Sequence, residues 1–426
     1  MKQMFAALIA VTSCATMAQA QTAQDVAGQP DMSILSLEQA IASAGGAAPA
    51  RQAADAEVEA ADANRTVAGL RPNPVLQAQV ENIIGTGPYG GVQGAETTVG
   101  FMQTLELGGK RQARMAVANA QFSRTELQAL TVAADVRLQV SQLYIEAVAA
   151  ERRLATARDQ ARIANDALHA ANVRVEAGRA SPLEQQRADV ARVTAEANVE
   201  RQQRLMQTAR SNLERRMTRP IEGMLDMQWL DRLPAPDRYG PVVSPRSEGT
   251  LAMAAAEADL ITADAEVRLA GANRVPNLDI GPSVRRFEAG GDMAAVFTIS
   301  LPIPLFNNGR AALAQARAER TGAEARRRII ALDIEQAIGN AEAEAANAAT
   351  TARATSGPAL AAAQEAARIA RIGYREGKFG QIDLLDAERT LADTRMAAID
   401  ALAAYQQARA LLERLTTPAP AHQGEQ

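Results

Sequence analysis

Two pairs of short segments alternate between apolar and polar residues, one pair in each half of the chain. The first pair lies within residues 74–106, where Leu76, Ala78 and Val80 alternate with glutamine and glutamate residues. The second pair lies within residues 277–303 and repeats the same period of two. This period is typical of strands with one apolar and one polar face, and a glycine-containing turn joins each pair. The pattern therefore predicts two β-hairpins.

Outside the hairpins the chain is rich in alanine, glutamate, glutamine and arginine, which favour long helices. Residues 109–176 contain no proline, and residues 309–376 contain only Pro358. A helix of about seventy residues would be roughly 100 Å long and would need support from neighbouring helices. We expect these two long helices, a shorter helix after each at 182–217 and 381–415, and one further helix before each hairpin.

The landmarks of the first half recur in the same order in the second half, which indicates an internal repeat. Gly178 and Gly377 are separated by the same number of residues as Leu213 and Leu412. One duplicated unit explains this better than chance. The predicted organisation is a first repeat over residues 21–217, an irregular connecting segment over 218–247, a second repeat over 248–416 and a disordered tail over 417–426.

Residues 1–20 predict a signal peptide, because Lys2 precedes a short apolar stretch and a small-x-small motif ends at Ala20. A competing processing site would instead leave Cys14 lipidated. No later segment is apolar over the roughly 20 residues that a membrane-spanning helix requires. A membrane role is therefore expected to come from the strands or from a lipid anchor.

Composition argues against several classes of function. The 426 residues include 45 Lys and Arg against 49 Asp and Glu, a net charge of -4 that disfavours a nucleic-acid binder. One cysteine, Cys14, and two histidines, His169 and His422, are too few for a Cys/His zinc site or a Cys/His nucleophile. No nucleophile, base and acid converge, so an enzyme is the weakest candidate, and neither a cofactor nor a metal site is predicted.

The number of predicted strands implies an assembly. Four strands of about ten residues suit an outer membrane, but a closed barrel needs at least about eight strands. Open edges would leave unpaired backbone groups in hydrocarbon, at several kcal/mol each. Two copies would give a narrow eight-stranded barrel, and three copies would give twelve strands with room for water. The polar face would then line the lumen, and the apolar face would contact lipid.

The duplicated order of helix, strand hairpin, long helix and shorter helix resembles the TolC family of outer membrane efflux proteins over nearly all of the chain. The stretch Leu105–Arg111, with the sequence LELGGKR, resembles the CzcC-like branch of heavy-metal efflux components. The resemblance implies a mainly α fold with a membrane β-barrel. It would be a homotrimer with four strands per chain in a twelve-stranded barrel, continued by a long α-helical barrel through the periplasm of a Gram-negative cell. The implied partners are outer membrane lipids, a periplasmic adaptor of the membrane fusion type and an inner membrane RND pump.

In this family the turns between the long and shorter helices contact the adaptor. The resemblance assigns that contact to Gly178, Arg179, Ala180 and Ser181 in the first repeat, and to Gly377, Lys378, Phe379 and Gly380 in the second. A plainer interpretation is that each glycine only permits the reversal between two helices. The sequence by itself leaves both interpretations open.

Acidic residues beside these turns match family positions that ring the tunnel entrance, namely Glu184, Asp383 and Asp386. Repeated by symmetry, such carboxylates attract cations, although carboxylates at helix N-termini are also favoured by the helix dipole.

Tyr374 matches a family tyrosine that helps to hold the closed tip. Phe379 occupies the position of a family arginine latch, so a different gate is expected, with Lys378 as a candidate substitute.

The leading hypothesis is a passive exit duct of a tripartite efflux system that exports heavy-metal cations, with metal selection performed by the partners. The nearer alternative is the same channel exporting drugs or secreted polypeptides. A periplasmic coiled-coil scaffold without a pore is a different class of protein. Membrane fractionation and circular dichroism would separate the scaffold from the channel.

Overall fold

The computed structural model describes residues 34–235 and 246–420, so the predicted signal peptide over 1–20 and Cys14 lie outside the described residues. The elements of the first half are β1 (Ile34–Leu35), α1 (Leu37–Ala47), α2 (Pro49–Gly69), β2 (Val75–Glu81), β3 (Glu96–Leu105), α3 (Lys110–Glu176) and α4 (Pro182–Met217). The connecting segment contains β4 (Met224–Leu225). The elements of the second half are α5 (Leu251–Ala272), β5 (Leu278–Phe287), β6 (Met293–Ser300), α6 (Arg310–Ala354), α7 (Leu360–Arg375) and α8 (Gln381–Leu415).

The stretch 309–376, expected to be one long helix, is divided into α6 and α7. A π-helical segment, Thr355–Ala359, joins them and contains Pro358. Proline has no N–H, and its ring crowds the carbonyl four residues earlier, so the local hydrogen bonds shift. The Leu360 N–H donates to the Thr355 carbonyl, five residues back. This wider turn lets the chain stay helical across the proline.

The four strands of the two hairpins form one antiparallel sheet in the order β2-β3-β5-β6. Val99 of β3 pairs with Ala78 of β2 on one side and with Val284 of β5 on the other. Because side chains alternate along each strand, this register collects the apolar residues on one face and the polar residues on the other. Large exposed side chains of the apolar face are Leu76, Phe101, Phe297 and Ile299.

The helices lie side by side in a strip whose members change along α3. Near the sheet, α3 packs between α2 and α5, and α5 packs against α6; Arg124 of α3 pairs with Asp259 of α5. Farther from the sheet, α3 packs between α4 and α8, and α8 packs against α7; Asp159 of α3 pairs with Arg395 of α8 at 2.6 Å. None of the helices in residues 34–235 and 246–420 combines the length and the apolar character that crossing a membrane takes.

The largest hydrophobic core lies at the middle of α3, where the connecting segment packs against the helices. β1 and β4 form a short parallel pair there. The Tyr144 ring is fully buried and meets the Trp229 ring edge-on, with 5.7 Å between the ring centroids. Gln406 of α8, also buried, donates from its amide nitrogen to the carbonyls of Leu230 and Arg232 at 3.3 and 3.1 Å. These contacts join the irregular segment to helices of both halves.

The tail expected to be disordered over 417–426 begins with ordered residues. The Leu251 N–H donates to the Thr417 carbonyl at 2.9 Å, and the Ala419 N–H donates to the Gly249 carbonyl at 2.9 Å. The first N–H groups of a helix have no partner within the helix, so the chain end satisfies one of them at the start of α5. Residues 421–426 lie outside the described residues.

Candidate functional site

Both long helical hairpins reverse through a glycine turn at the end remote from the sheet. Gly178 and Gly377 have φ angles of 68° and 73°, a region that glycine adopts without steric cost. The Arg179 N–H donates to the Arg174 carbonyl, five residues back, at 2.8 Å, which is the hydrogen bond of a Schellman motif that spans more residues. The equivalent bonds of the second turn join Lys378 to Gly373 and Gly377 to Tyr374. The backbone of each reversal therefore favours glycine at these two positions.

The helices that follow the turns begin with capping interactions. Ser181 accepts the Leu183 N–H through its hydroxyl at 3.2 Å. At the start of α8, the Asp383 carboxylate accepts the Gly380 N–H at 2.9 Å. Asp383 therefore caps the N-terminus of α8, in agreement with the interpretation that carboxylates are favoured at helix N-termini. Asp386, one turn further, is exposed.

Tyr374 is buried between the two hairpins. Its ring packs with Ala170 of α3 and Leu384 of α8, and the guanidinium carbon of Arg174 lies 4.7 Å from the ring centroid. A guanidinium over a tyrosine ring is a cation–π contact, which strengthens with burial. The buried Tyr374 hydroxyl has no hydrogen-bond partner within the described residues.

A second contact joins the starts of the two shorter helices. The buried Gln381 side chain of α8 donates from Nε2 to the Glu184 main-chain carbonyl of α4 at 2.7 Å. Two oxygens beside this bond, Glu184 Oε2 and Gln381 Oε1, are buried without a partner in the part of the chain that the structure describes. The contact therefore ties the first repeat to the second at the tip, and it leaves acceptors open there.

Phe379 and Lys378 have local partners. A side chain at Gly373 would collide with the Phe379 ring, which shows that the ring lies directly on the α7 backbone. The Lys378 ammonium pairs with Glu376 two residues earlier. Among the described residues, the only salt bridge of Lys378 is this local one, so in this conformation Lys378 does not join the two repeats as a substitute for the family's arginine latch.

A groove of about 1140 Å³ lies next to the tip, between α3, α4, α7 and α8. Its lining includes Asp166, Asn198, Tyr374 and Glu388. Arg371 donates to the buried Glu388 carboxylate at 2.8 Å through Nη2, and this hydrogen bond raises the pKa of Arg371. Within the described ranges, no group of three or more His, Cys, Asp or Glu residues is arranged to hold a metal ion.

The LELGGKR stretch meets the segment that precedes β5 where the sheet joins the helices. Lys110 donates to the Asn277 side chain, and a side chain at Gly108 would collide with Val275. Arg114 donates to the Glu106 carboxylate at 3.1 Å through Nη2 and to the end of α2, and its hydrogen bond lowers the pKa of Glu106. These contacts of the motif and of Arg114 hold the junction of strand and helix together.

Comparison with known protein families explains this duplicated architecture. Residues 40–217 and 247–417 match the family described as Outer membrane efflux protein. The chain belongs to this family. It works in efflux at the outer membrane.

Relatives of this outer membrane efflux protein include metal-resistance proteins. The cobalt-zinc-cadmium resistance protein CzcC of Cupriavidus metallidurans is 27% identical over 384 residues, 89% of this chain and 90% of CzcC. The nickel-cobalt-cadmium resistance protein NccC of Alcaligenes xylosoxydans xylosoxydans is 27% identical over 325 residues, 74% of this chain and 70% of NccC. The expected resemblance to the CzcC-like branch is confirmed.

The solved open state of the outer membrane channel MtrE from Neisseria gonorrhoeae has the same fold as this outer membrane efflux protein. The TM-score is 0.72 at 22% identity, over 89% of this chain and 88% of MtrE. The predicted TolC-like fold, mainly α with a β domain, is confirmed.

Sequence reasoning placed the tip of this outer membrane efflux protein but missed several of its contacts. The structure buries Tyr374 between the repeats and half-buries Glu184, whose Oε2 is shielded from solvent, whereas Asp383 and Asp386 remain on the exposed side of α8. The residues missed are Arg174, Gln381 and Gly373. Arg174 carried one weak signal, a basic residue in the last turn of a helix.

Proposed function

We propose that this protein is the outer membrane channel of a tripartite efflux system. It closes as a ring of three copies and acts as a passive exit duct, not as an enzyme. One observation carries the proposal: within the described residues β2 and β6 each pair with one neighbouring strand only. Unpaired strand edges are not tolerated in hydrocarbon, so the edges of one copy must pair with those of the next. Three copies supply twelve strands and a lumen wide enough for water.

The outer edges of the helical strip support the same ring. Exposed apolar side chains on α4 are Leu183, Val190, Val193 and Leu205. Exposed apolar side chains at the opposite edge are Ile329 and Leu332 of α6 and Ile369 of α7. Large exposed apolar side chains along both edges are expected where another protein covers the surface. Contact between these edges of adjacent copies would extend the ring from the sheet along the helices.

Heavy-metal cations are the proposed cargo. The relatives CzcC and NccC are named for resistance to cobalt, zinc, cadmium and nickel. The polar face of the strands carries three carboxylates, of Glu81, Glu96 and Asp279, against one guanidinium, of Arg285. In a closed ring this face lines the lumen, where an excess of negative charge attracts cations and repels anions. Anionic drugs or polypeptides would be disfavoured by the same charge.

The tips are the proposed meeting point with a periplasmic adaptor, and an inner membrane RND pump would deliver the cargo. The adaptor contact comprises Gly178, Arg179, Ala180 and Ser181, together with Gly377, Lys378, Phe379 and Gly380. Most of these residues are exposed. The buried contacts of Tyr374 with Arg174 and of Gln381 with Glu184 would hold the tip closed. Glu184, Asp383 and Asp386 would form the cation-attracting entrance when the tip opens.

The proposed function is tested by deleting the gene and restoring it. Deletion is expected to lower tolerance to zinc, cobalt and cadmium salts while antibiotic tolerance stays unchanged, and the wild-type gene should restore metal tolerance. A Gly100→Val gene serves as the negative control, because a side chain at Gly100 would collide with Pro282 and Ser283 in the sheet. Lost antibiotic tolerance with normal metal tolerance would favour drug cargo. A protein found only in the soluble periplasmic fraction would favour the scaffold.

A further inference from the structure

Arg285 connects three strands on the polar face of the sheet. Its Nη1 lies 2.8 Å from Glu96 Oε2, and its Nη2 lies 3.2 Å from Glu81 Oε2. Its Nε donates to the Thr98 hydroxyl at 3.0 Å. All nitrogens of the guanidinium are therefore engaged with β2 and β3, while Arg285 itself belongs to β5.

The two glutamates would be unfavourable neighbours without this arginine. Glu81 and Glu96 are directly opposite each other in the antiparallel register of β2 and β3. Like charges in that relation repel and destabilise a sheet. Gln79 donates to Glu81 at 3.1 Å and Asn82 to Glu96 at 3.4 Å, but both of these donors are neutral. Arg285 is the positive charge that compensates the pair.

The network of Arg285, Glu81 and Glu96 lies at one end of the sheet, and this decides where in the pore it would act. Glu81 is the last residue of β2, Glu96 is the first residue of β3, and β5 ends two residues after Arg285. The network therefore lies at the end of the sheet remote from the helices. In the proposed ring this end is the exit mouth of the pore, so the inference that follows rests on the proposed function.

A channel for divalent cations has to avoid binding its ions tightly at the exit. Paired carboxylate oxygens are ligands for divalent metal ions, and a site that holds its ion tightly slows conduction. Arg285 occupies the space between the two carboxylates with a covalently attached cation. The network then carries one net negative charge per chain, which attracts cations without offering two free carboxylates to retain them.

We propose that Arg285 is a selectivity-determining residue of the exit. It acts as a resident counter-ion that prevents Glu81 and Glu96 from retaining divalent cations as they leave. Arg286, the next residue, provides a matched control. Alternation places Arg286 on the apolar face, where it lies 3.4 Å from Glu288.

The test uses the full-length assembled protein in planar bilayers, with a KCl gradient to measure permeability ratios and added Zn²⁺ to measure block. Arg285→Gln is expected to raise the K⁺/Cl⁻ permeability ratio about two- to fivefold, because each copy loses one lumenal positive charge. Half-block by Zn²⁺ is expected at a concentration roughly tenfold lower than in the wild type. Without Arg285 the two carboxylates are free to bind the ion, and tight binding slows conduction. Arg286→Gln should match the wild type in both measurements.

Two further variants keep the proposal falsifiable. Glu81→Gln retains the pair between Arg285 and Glu96, so it should assemble and lower the K⁺/Cl⁻ ratio below that of the wild type. The triple variant Arg285→Gln, Glu81→Gln, Glu96→Gln should lose the added Zn²⁺ sensitivity. If the wild type conducts but the Arg285 and Glu81 variants match it, this inference is wrong and the channel function stands. A wild-type protein that does not conduct overturns the proposed function itself.

Discussion

At the scale of single residues, Tyr144 links three parts of the chain through one buried side chain. Its hydroxyl donates to the Leu35 carbonyl at 2.8 Å and accepts the Asp226 N–H at 3.2 Å. Burial raises the pKa of Tyr144 to about 12, so the hydroxyl keeps its proton and remains a donor. The ring also meets Trp229 edge-on. One side chain therefore anchors β1 and the connecting segment to the middle of α3.

We expect Tyr144→Phe to lower the free energy of unfolding by about 1–3 kcal/mol, because a buried carbonyl and a half-buried N–H each lose a partner. Trp229 is the only tryptophan of the chain, so its fluorescence during denaturant unfolding reports directly on this core. Tyr405→Phe is the control, since the hydroxyl of this buried tyrosine makes no hydrogen bond to another of the described residues. Equal effects of the two substitutions would show that the hydroxyl network contributes nothing.

At the scale of elements, the tip turns separate a backbone requirement from a contact surface. A Cβ at Gly377 would meet no atom within 4 Å, but the φ of 73° disfavours any other residue. Gly377→Ala is therefore expected to destabilise the turn by about 1–2 kcal/mol. Hydrogen exchange of the Lys378 and Phe379 amides, which bind the Gly373 carbonyl, should become about tenfold faster.

Gly322→Ala is the matched control for this prediction. Gly322 lies inside α6 without a positive φ, and its nearest neighbour would be the flexible Arg326 side chain at 3.8 Å. Alanine is the better helix former, so this variant should gain about 0.5–1 kcal/mol instead of losing stability. Tip amides that exchange at the same rate in Gly377→Ala and in the wild type would refute the backbone requirement.

Elements with a regular period were predictable from the sequence, and contacts between distant residues were not. Alternation along residues 74–106 and 277–303 indicated strands because each residue type repeats locally. The partition of α6 and α7 depends on Pro358, whose presence was visible but whose accommodation by a π turn was not. The bond from Gln381 to Glu184 joins residues 197 positions apart, and no local pattern records it.

At the scale of the whole molecule, the most informative prediction from the sequence was that one copy cannot form a closed barrel. Four strands are too few for a barrel, and the structure shows an open four-stranded sheet. The sequence revealed only part of the charge distribution on the polar face of the sheet. Glutamate and glutamine positions indicated a polar face, but the role of Arg285 follows from the pairing of β3 with β5, which brings together residues of the two repeats. Long-range strand pairing had to be seen in the structure.

The ring predicts a directional contact: β6 of each copy pairs with β2 of the next. We therefore expect that one cysteine in β2 combined with one in β6, scanned along both strands, yields covalent trimers with a short bismaleimide. Single-cysteine variants should remain monomers, because a head-to-tail ring brings unlike edges together. Cys14 is the only native cysteine and is common to all variants, so the single variants control for it. Denaturing electrophoresis separates the outcomes. Products that stop at dimers would indicate an eight-stranded barrel, and monomers throughout the scan would exclude a closed ring.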